Sequence, residues 1–378
     1  MDNIAGTQSR LVWAVNISAL LLVLLWTIPT FGLLVSSFRD RDQISTSGWW
    51  TALVATERNI VERSEGPDTQ TKEDGVFVLT GNVFGENQGE VKAFGFSSRE
   101  PTAFSPGEVA NIKNGQTLSV AVDGTYRFAS PEAWTGSRGK RIFVTTVEPP
   151  KWTIGNFGTV MFSEGLGRSF LNTMTVTIPS TIIPILVAAF AAYALAWMEF
   201  PGRSLLVAAV VGLLVVPLQM ALIPLLKFHN TIGIGKDYVG IWLAHSAFGL
   251  PLAIYLLRNY IAGLPREVIE SARVDGATDF EIFRKIVLPL SFPALASFAI
   301  FQFLWVWNDL LVATVFLGNN EDQLVMTGRL RELLGSRGGD WEILAASAFV
   351  SMIVPLIVFF AMQKYLVRGL LAGSVKGG

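Results

Sequence analysis

Residues 11–38 read LVWAVNISALLLVLLWTIPTFGLLVSSF and contain no charged side chain. About 20 mostly apolar residues suffice for a helix to cross the roughly 30 Å hydrocarbon layer of a bilayer, where backbone polar groups must be satisfied within the segment. The run is longer than the apolar region of about 7 to 15 residues in a cleaved signal peptide, and no small-residue cleavage pattern follows it. We therefore expect a retained transmembrane helix.

Five further stretches of the chain satisfy the same criterion. They are residues 170–197, 205–226, 238–257, 292–317 and 343–367. The composition agrees, because only 16% of the 378 residues are charged, whereas soluble proteins average about 25%. The mean hydropathy of +0.46 is nevertheless too low for a chain that lies in the membrane throughout. We predict an all-α polytopic membrane protein with six transmembrane helices and a β-rich extracytoplasmic insert between spans one and two.

Residues 39–169 form the predicted insert, since they are polar and rich in glycine. Strand-like runs lie at 75–80, 90–94, 118–122, 125–128 and 141–147. Asp123-Gly124 is typical of a type I′ turn and predicts a β-hairpin between the third and fourth runs. Residues 57–74 carry charge, Gly, Ser and Thr and are interpreted as a flexible linker. The insert could bind a ligand or a partner, or it could brace the ends of the spans.

The remaining chain is divided into residues 1–38, with the first span, and residues 170–378, with spans two to six and a C-terminal tail. Lys and Arg in short loops favour the cytoplasmic side, and ten of them fall on one side against five on the other. Arg39 and Arg41 give an opposing local signal, but a long translocated segment follows them. We therefore expect both termini in the cytoplasm of a bacterium, with the chain in its inner membrane.

Several classes of function are disfavoured by composition. A net charge of −1 lacks the basic surface of a nucleic-acid-binding protein. The absence of Cys excludes disulfides, Cys-ligated metals and thiol nucleophiles. His229 and His245 stand alone without ligand spacing. We therefore expect no nucleic-acid partner, no metal site and no catalytic residue.

The loop between spans four and five carries the clearest functional signal. Residues 263–289 read GLPREVIESARVDGATDFEIFRKIVLP. Pro265 suits the first turn of one short helix, and Asp275-Gly276 gives a left-handed stop. Thr278 and Glu281 have the spacing of a capping box for a second helix.

This loop could be a solvated connector between the two spans. Six of its apolar residues would then remain in water, which instead favours packing against a partner protein. They are Val268, Ile269, Ala272, Ile282, Phe283 and Ile286.

The spacing of Glu270, Ala272, Gly276, Ile286 and Leu288-Pro289 resembles the cytoplasmic EAA loop of binding-protein-dependent ABC importer permeases. Ser271 replaces the first alanine of that motif. The resemblance implies that the first helix of the loop seats in a cleft of a separate ATPase subunit. Within residues 258–289 it assigns ATPase coupling to Glu270, Ser271, Ala272, Asp275, Gly276, Ile286, Leu288 and Pro289.

The similarity continues through the spans and is closest to the carbohydrate-uptake branch, which includes maltose and α-glucoside permeases. The matching positions are Asn172, residues 191–196, Gly202-Arg203, Pro217, Gln219, Ile223-Pro224, Leu257-Arg258, Pro265, Trp305, Trp307 and Asn308. The tail, residues 365–378, resembles that of the maltose-type permease subunit, which reaches between two ATPase subunits. By the same resemblance, residues 324–334 meet an extracytoplasmic sugar-binding protein; a helix lying on the bilayer surface is the alternative.

The resemblance implies a permease subunit of an ATP-driven importer for an oligosaccharide, an α-glucoside such as maltose, sucrose or trehalose. Its partners would be a second permease subunit, an ABC ATPase dimer, the sugar-binding protein and membrane lipid. The sequence has no Gly-x-x-x-x-Gly-Lys-Ser/Thr phosphate loop, so we expect this chain to bind no cofactor and its ATPase partner to use the ATP.

Polar side chains within spans are candidates for a translocation pathway, because they are costly against lipid. Gln219, Gln302 and Asn308 are the candidates here. Amides also commonly pair one helix with another, and Trp305 and Trp307 suit an interfacial aromatic belt.

Two other classes of function remain as alternatives. A polytopic membrane enzyme is disfavoured because no catalytic cluster lies near a membrane face. A receptor with a ligand-binding β domain would not need six spans. We therefore expect a transport protein and not an enzyme.

Overall fold

The computed structural model describes residues 10–85 and 89–372. The chain divides after Ile154 into two compact units. In the described residues, the first unit holds one long apolar helix and every strand, and the second holds the other long helices. The end of the predicted ATPase-contacting tail, residues 373–378, lies outside the described residues. The predicted insert boundary at residue 169 stays a prediction.

The first unit begins with helix α1, Arg10–Ser37, and a short helix α2, Arg41–Thr46. Between them Arg39 is buried, and its guanidinium donates to the carbonyl oxygens of Gln43 (3.1 Å), Ser47 (2.8 Å) and Gly48 (3.0 Å). Arg39 is therefore part of the folded loop between α1 and α2.

The β region has eight strands in two antiparallel sheets within the described residues. They are β1 Thr56–Arg63, β2 Thr71–Glu73, β3 Val76–Asn82, β4 Glu90–Gly95, β5 Val109–Asn111, β6 Thr117–Val120, β7 Thr125–Ser130 and β8 Arg141–Glu148. The strand orders are β1-β8-β4 and β2-β3-β7-β6-β5. Leu79, Leu118 and Phe128 from the larger sheet share one core with Phe94 and Ile142 from the smaller. The predicted β-rich region is confirmed as a two-layer sandwich.

The flexible linker predicted at residues 57–74 is wrong. β1 pairs with β8 along its whole length, from Thr56 opposite Glu148 to Arg63 opposite Arg141. Its charged and polar residues occupy the edge of the smaller sheet and face solvent at alternate positions near its start. Charges are common on edge strands because they discourage pairing with other chains, so a polar composition did not indicate disorder here.

The predicted hairpin at Asp123-Gly124 exists, but its type I′ turn is wrong. Gly124 has φ +81°, whereas Asp123 is not among the residues with positive φ, and a type I′ turn needs positive φ at both central residues. The pair that has this geometry is Asp74 (φ 47°) and Gly75 (φ +87°), which joins β2 to β3.

The second unit is helical. Its helices are α3 Gly155–Gly158, α4 Leu166–Trp197, α5 Arg203–Leu213, α6 Leu218–Thr231, α7 Tyr238–Ala262, α8 Arg266–Val274, α9 Asp279–Ile282, α10 Leu288–Leu290, α11 Phe292–Trp307, α12 Leu311–Phe316, α13 Met326–Ser336 and α14 Trp341–Ala372. Two π-helical turns occupy Thr159–Ser163 and Phe283–Val287.

Among the described residues, four helices, α1, α4, α7 and α14, are long and apolar enough to span a bilayer individually. The number rises to six if two bent pairs each form one span. The predicted span 205–226 is covered by α5 and α6, and the predicted span 292–317 by α11 and α12, so each is interrupted.

Local chemistry accounts for the breaks in these two spans. α5 and α6 meet at 107°, with Pro217 at the junction, and the residue before a proline is disfavoured in helical geometry. α11 ends at Trp307, and Asp309 then accepts from the N–H groups of Val312 (3.3 Å) and Ala313 (2.9 Å) at the start of α12. A hydropathy pattern does not register the end of α11 at Trp307.

We expect Gly124→Ala to destabilise the hairpin of β6 and β7 more than Gly75→Ala, which lies in the turn between β2 and β3. Both positions have positive φ, which costs a side-chain-bearing residue about 1–2 kcal/mol. A Cβ at Gly124 would also collide with the ring of Phe84, whereas nothing lies within 4 Å of a Cβ at Gly75. Hydrogen exchange of the full chain in detergent, followed in peptides from β6 and β7, measures the difference. Equal exchange in the two variants would contradict the expectation.

Candidate functional site

The 263–289 loop folds as two helices, as its sequence predicted. Pro265 immediately precedes α8 instead of lying in its first turn, and Gly276 has φ +83° after the helix ends. Thr278 Oγ1 accepts from the Glu281 N–H (3.3 Å), and Glu281 Oε2 accepts from the Thr278 N–H (3.1 Å), which completes the predicted capping box of α9. Pro289 lies within α10, and the chain then bends by 70° into α11.

The apolar face of this loop does not point to a partner, contrary to the prediction. Ile269, Ile282 and Phe283 are buried in a core formed with α4 and α7 of the same chain, and Ala272 and Ile286 pack against that core. The loop folds back onto the ends of the two long helices, which a local pattern could not reveal. Of the six predicted residues only Val268 is exposed; the other large apolar side chains exposed on the loop are Val274 and Phe280.

A group of polar contacts, here named the Asp279 cluster, joins the loop to α4 and α7. Asp279 Oδ1 accepts from Tyr193 Oη (3.0 Å) and lies 3.4 Å from Arg273 Nη2, which also donates to the Trp197 carbonyl oxygen (3.1 Å). Trp197 Nε1 in turn donates to the Ile261 carbonyl oxygen (3.0 Å). Arg273 of α8 is therefore hydrogen-bonded to the end of α4, and the end of α4 to the end of α7.

The predicted coupling residues divide into two groups. Those on the solvent side are exposed: Glu270, Ser271, Asp275, Gly276 and Pro289. Those on the other side, Ala272, Ile286 and Leu288, pack against the loop's own core.

The exposed side of the loop is charged. Arg266 Nε lies 2.9 Å from Glu270 Oε1, and Lys285 Nζ lies 3.0 Å from Glu281 Oε1. Hydrogen bonds from the Thr278 backbone and from Lys285 lower the pKa of Glu281 to about 2. The carboxylate of the capping box therefore stays ionised at neutral pH.

The opposite end of α4 carries a second set of contacts, here named the Asn172 cluster. Asn172 Nδ2 donates to the carbonyl oxygens of Asp322 (3.0 Å) and Leu324 (3.1 Å), and its Oδ1 accepts from Tyr238 Oη (3.0 Å). Thr173 Oγ1 accepts from the Met326 N–H (2.8 Å). The segment before α13 is thus hydrogen-bonded to α4, and Asn172 of α4 is in turn hydrogen-bonded to Tyr238 of α7. The sequence had pointed to Asn172 only through the resemblance, although an amide in an apolar span is itself a functional signal.

The three predicted pathway residues are not brought together. Gln302 is buried, and its Nε2 donates to the carbonyl oxygen of Ser180 (3.0 Å) and lies 3.4 Å from that of His245. It also lines a cavity of about 630 Å³, together with residues of α5, α6 and α7. Gln219 and Asn308 are exposed and are not among the residues that line this cavity.

His245 lies near a carboxylate that the sequence did not indicate, but neither of its ring nitrogens has a hydrogen-bond partner among the described residues. Its ring is fully buried, and Nε2 lies 3.7 Å from Asp309 Oδ2. Within the described part of the chain, no three His, Asp or Glu residues are grouped so that they could hold a metal ion.

Residues 167–371 match the family model described as "Binding-protein-dependent transport system inner membrane component". The chain belongs to this family of transport components. The resemblance first drawn from the EAA-like loop is therefore confirmed.

Among similar proteins, the family member "Alpha-glucoside transport system permease protein AglG" of Rhizobium meliloti (strain 1021) is 66% identical over 376 residues, covering 98% of this chain and 99% of the relative. The "Osmoprotective compounds uptake permease protein GgtD" of Synechocystis sp. is 58% identical over 235 residues, covering 62% and 79%. A solved bacterial ABC transporter involved in alginate import gives a TM-score of 0.49 at 24% identity over 58% of this chain and 81% of that one. The Rhizobium alignment includes the β region of this transport component.

We expect Tyr193→Phe to loosen the loop of this transport component. The change removes the hydrogen bond to Asp279 and leaves the ring, which packs against Phe283, in place. A net loss of about 1.4 kcal/mol would raise amide exchange in α8 about tenfold.

Hydrogen exchange of the full chain in nanodiscs measures this effect. Tyr255→Phe is the matched control, since the Tyr255 hydroxyl has no hydrogen bond within the described residues. Unchanged exchange in Tyr193→Phe would contradict the role given to the Asp279 cluster.

Asn172→Ala should release residues 318–326. It leaves two carbonyl groups and the Tyr238 hydroxyl without this partner, at a cost of about 1–3 kcal/mol for each group that stays buried and unsatisfied. Faster proteolysis of this segment in the purified full chain is the expected result. Asn308→Ala is the control, because the Asn308 amide donates only to Leu304 of its own helix in the described structure. Equal proteolysis of the two variants would refute the expectation.

Proposed function

We propose that this chain is the membrane-spanning permease subunit of an ATP-driven importer for a short α-glucoside such as maltose, sucrose or trehalose. The observation that carries the proposal is the structure of the 263–289 loop. One surface of the loop packs against α4 and α7, and the opposite surface is charged and exposed. The substrate class rests on the similarity to the α-glucoside permease across nearly the whole chain.

Coupling would pass through the exposed side of the loop. Glu270, Ser271, Asp275 and the turn at Gly276 would contact a cleft in one subunit of an ABC ATPase dimer. Closure of that dimer on ATP would shift α8, and the Asp279 cluster would carry the movement into the spans. This is a two-state element biased by a ligand bound to a neighbouring subunit.

The assembly would contain a second permease subunit, since the cavity beside Gln302 lies at the break between α5 and α6 and is only partly enclosed by this chain. Gln302 would bind sugar hydroxyls from its wall. Gln219 and Asn308 would belong to the pathway only where the second subunit covers them. Both termini would lie in the cytoplasm of the bacterial cell.

The segment held by the Asn172 cluster would receive the extracytoplasmic sugar-binding protein. Its backbone is hydrogen-bonded to Asn172 and Thr173 of α4 immediately before α13, and Asn172 is hydrogen-bonded to Tyr238 of α7. The same two helices are joined to the 263–289 loop at their other ends. Arrival of the loaded binding protein would therefore act on the helices that the ATPase moves.

Gly276→Val should uncouple ATP hydrolysis from uptake. Valine at φ +83° would be strained by roughly 1–2 kcal/mol and would distort the turn between α8 and α9. Gly276→Asn is the control, because asparagine tolerates the left-handed region. Proteoliposomes with both permease subunits, the ATPase and the binding protein measure both activities. Normal coupled uptake in the valine variant would refute the coupling role.

The function as a whole is tested by uptake of labelled maltose, sucrose and trehalose in the same proteoliposomes. ATP-dependent uptake of at least one of these sugars, lost when the ATPase is omitted, is expected. Co-purification of the ATPase should weaken in Glu270→Lys, which reverses an exposed charge. Activity of this chain alone, as a membrane enzyme or receptor, would overturn the proposal.

A further inference from the structure

An exposed apolar patch surrounds the C-terminal end of α1. Residues 47–56 read SGWWTALVAT and contain no charge. Trp50 is 74% exposed, Leu53 83% and Val54 63%, and Ile154, which ends the first unit, is 77% exposed. Large apolar side chains gathered at this density in one region mark a surface that is covered in the working protein.

The segment is held beside the last turns of α1 and does not extend into solvent. The Trp49 ring packs edge-on against Phe31, with 6.1 Å between ring centroids. Gly32 permits this approach, because a Cβ there would lie 2.7 Å from Trp49 Nε1. The Arg39 guanidinium holds the preceding backbone through the carbonyl oxygens of Ser47 and Gly48.

The returning chain joins the same place. The Thr153 N–H donates to the Phe38 carbonyl oxygen (2.8 Å), and Trp152 pairs with Arg39 as an isolated antiparallel bridge. Trp152 is also exposed. The patch therefore includes residues from the segment that leads from α1 to the β sandwich and from the segment that follows the last strand of the sandwich.

The depth of this patch follows from the helix. The candidate span Leu11–Ser37 is 27 residues long, which corresponds to about 40 Å. That length matches the hydrocarbon layer together with its interfacial regions. Phe31 then lies about 10 Å from the midplane and Ser37 about 20 Å from it. The Trp49 ring packs on Phe31 while the preceding backbone is held by Arg39 beyond the end of α1, so Trp49 lies between these two depths. The hydrocarbon layer ends about 15 Å from the midplane, within this interval, in the region in which tryptophan is enriched.

We infer that residues 48–54, with Trp152 and Ile154, form an interfacial membrane anchor that holds the β sandwich against the bilayer. The occupant of the patch is lipid. The patch continues the lipid-facing surface of α1, it has no charge, and its three tryptophans supply the N–H groups that interfacial side chains present to headgroups. The inference depends on α1 spanning the bilayer and is independent of the transported substrate.

The absence of cysteine makes a direct test simple, because each introduced cysteine is unique. Leu53→Cys and Val54→Cys are labelled with an environment-sensitive fluorophore in the assembled transporter in nanodiscs. Val122→Cys, at an exposed turn of the same sandwich, is the matched control. All three side chains are largely exposed, so the substitutions should not disturb folding.

Quenching by spin-labelled lipid should be several-fold stronger at residues 53 and 54 than at 122, and quenching by aqueous iodide should be correspondingly weaker. Equal iodide quenching at all three sites would overturn the inference, since the patch would then lie in water. Protection from iodide without lipid quenching would overturn it as well, because a protein would then cover the patch. Transport by the labelled proteins reports separately on the proposed function.

Discussion

Fixation of α4 at both of its ends is the constraint on which the membrane unit depends. At one end of α4, the Asp279 carboxylate accepts a hydrogen bond from the Tyr193 hydroxyl. At the other end, the Asn172 amide both donates and accepts hydrogen bonds. α7 takes part at both ends, through Ile261 and Tyr238. Neither loop can move relative to α4 without losing these hydrogen bonds.

Local features of the sequence predicted local structure well. The capping box at Thr278 and the left-handed stop at Gly276 depend on residues within one turn, and both were found as expected. The strands that alternate in character were also found. The turn at Asp123-Gly124 was assigned the wrong type because an Asp-Gly pair allows more than one geometry, and only the length of the connection decides between them.

Features that depend on distant contacts could not be predicted in this way. The apolar residues of the 263–289 loop were expected to meet another protein, yet α4 and α7 of the same chain cover them. Hydropathy located the apolar segments 205–226 and 292–317 but not the helix ends within them, because apolar character does not depend on direction. Of the candidate site, the exposed residues were identified through the motif, whereas Tyr193 and Asp279, which join the loop to the spans, were not.

The two ends of the β region meet at a single side chain. Gln43 Nε2 donates to the Pro149 carbonyl oxygen (2.8 Å), and its Oε1 accepts from the Lys151 N–H (2.9 Å). More than a hundred residues therefore leave and return at one point, so the sandwich is attached as a module on a single stem. Such a module can be gained, lost or exchanged during evolution at the cost of only a short bridging turn, while the helices of the permease keep their packing.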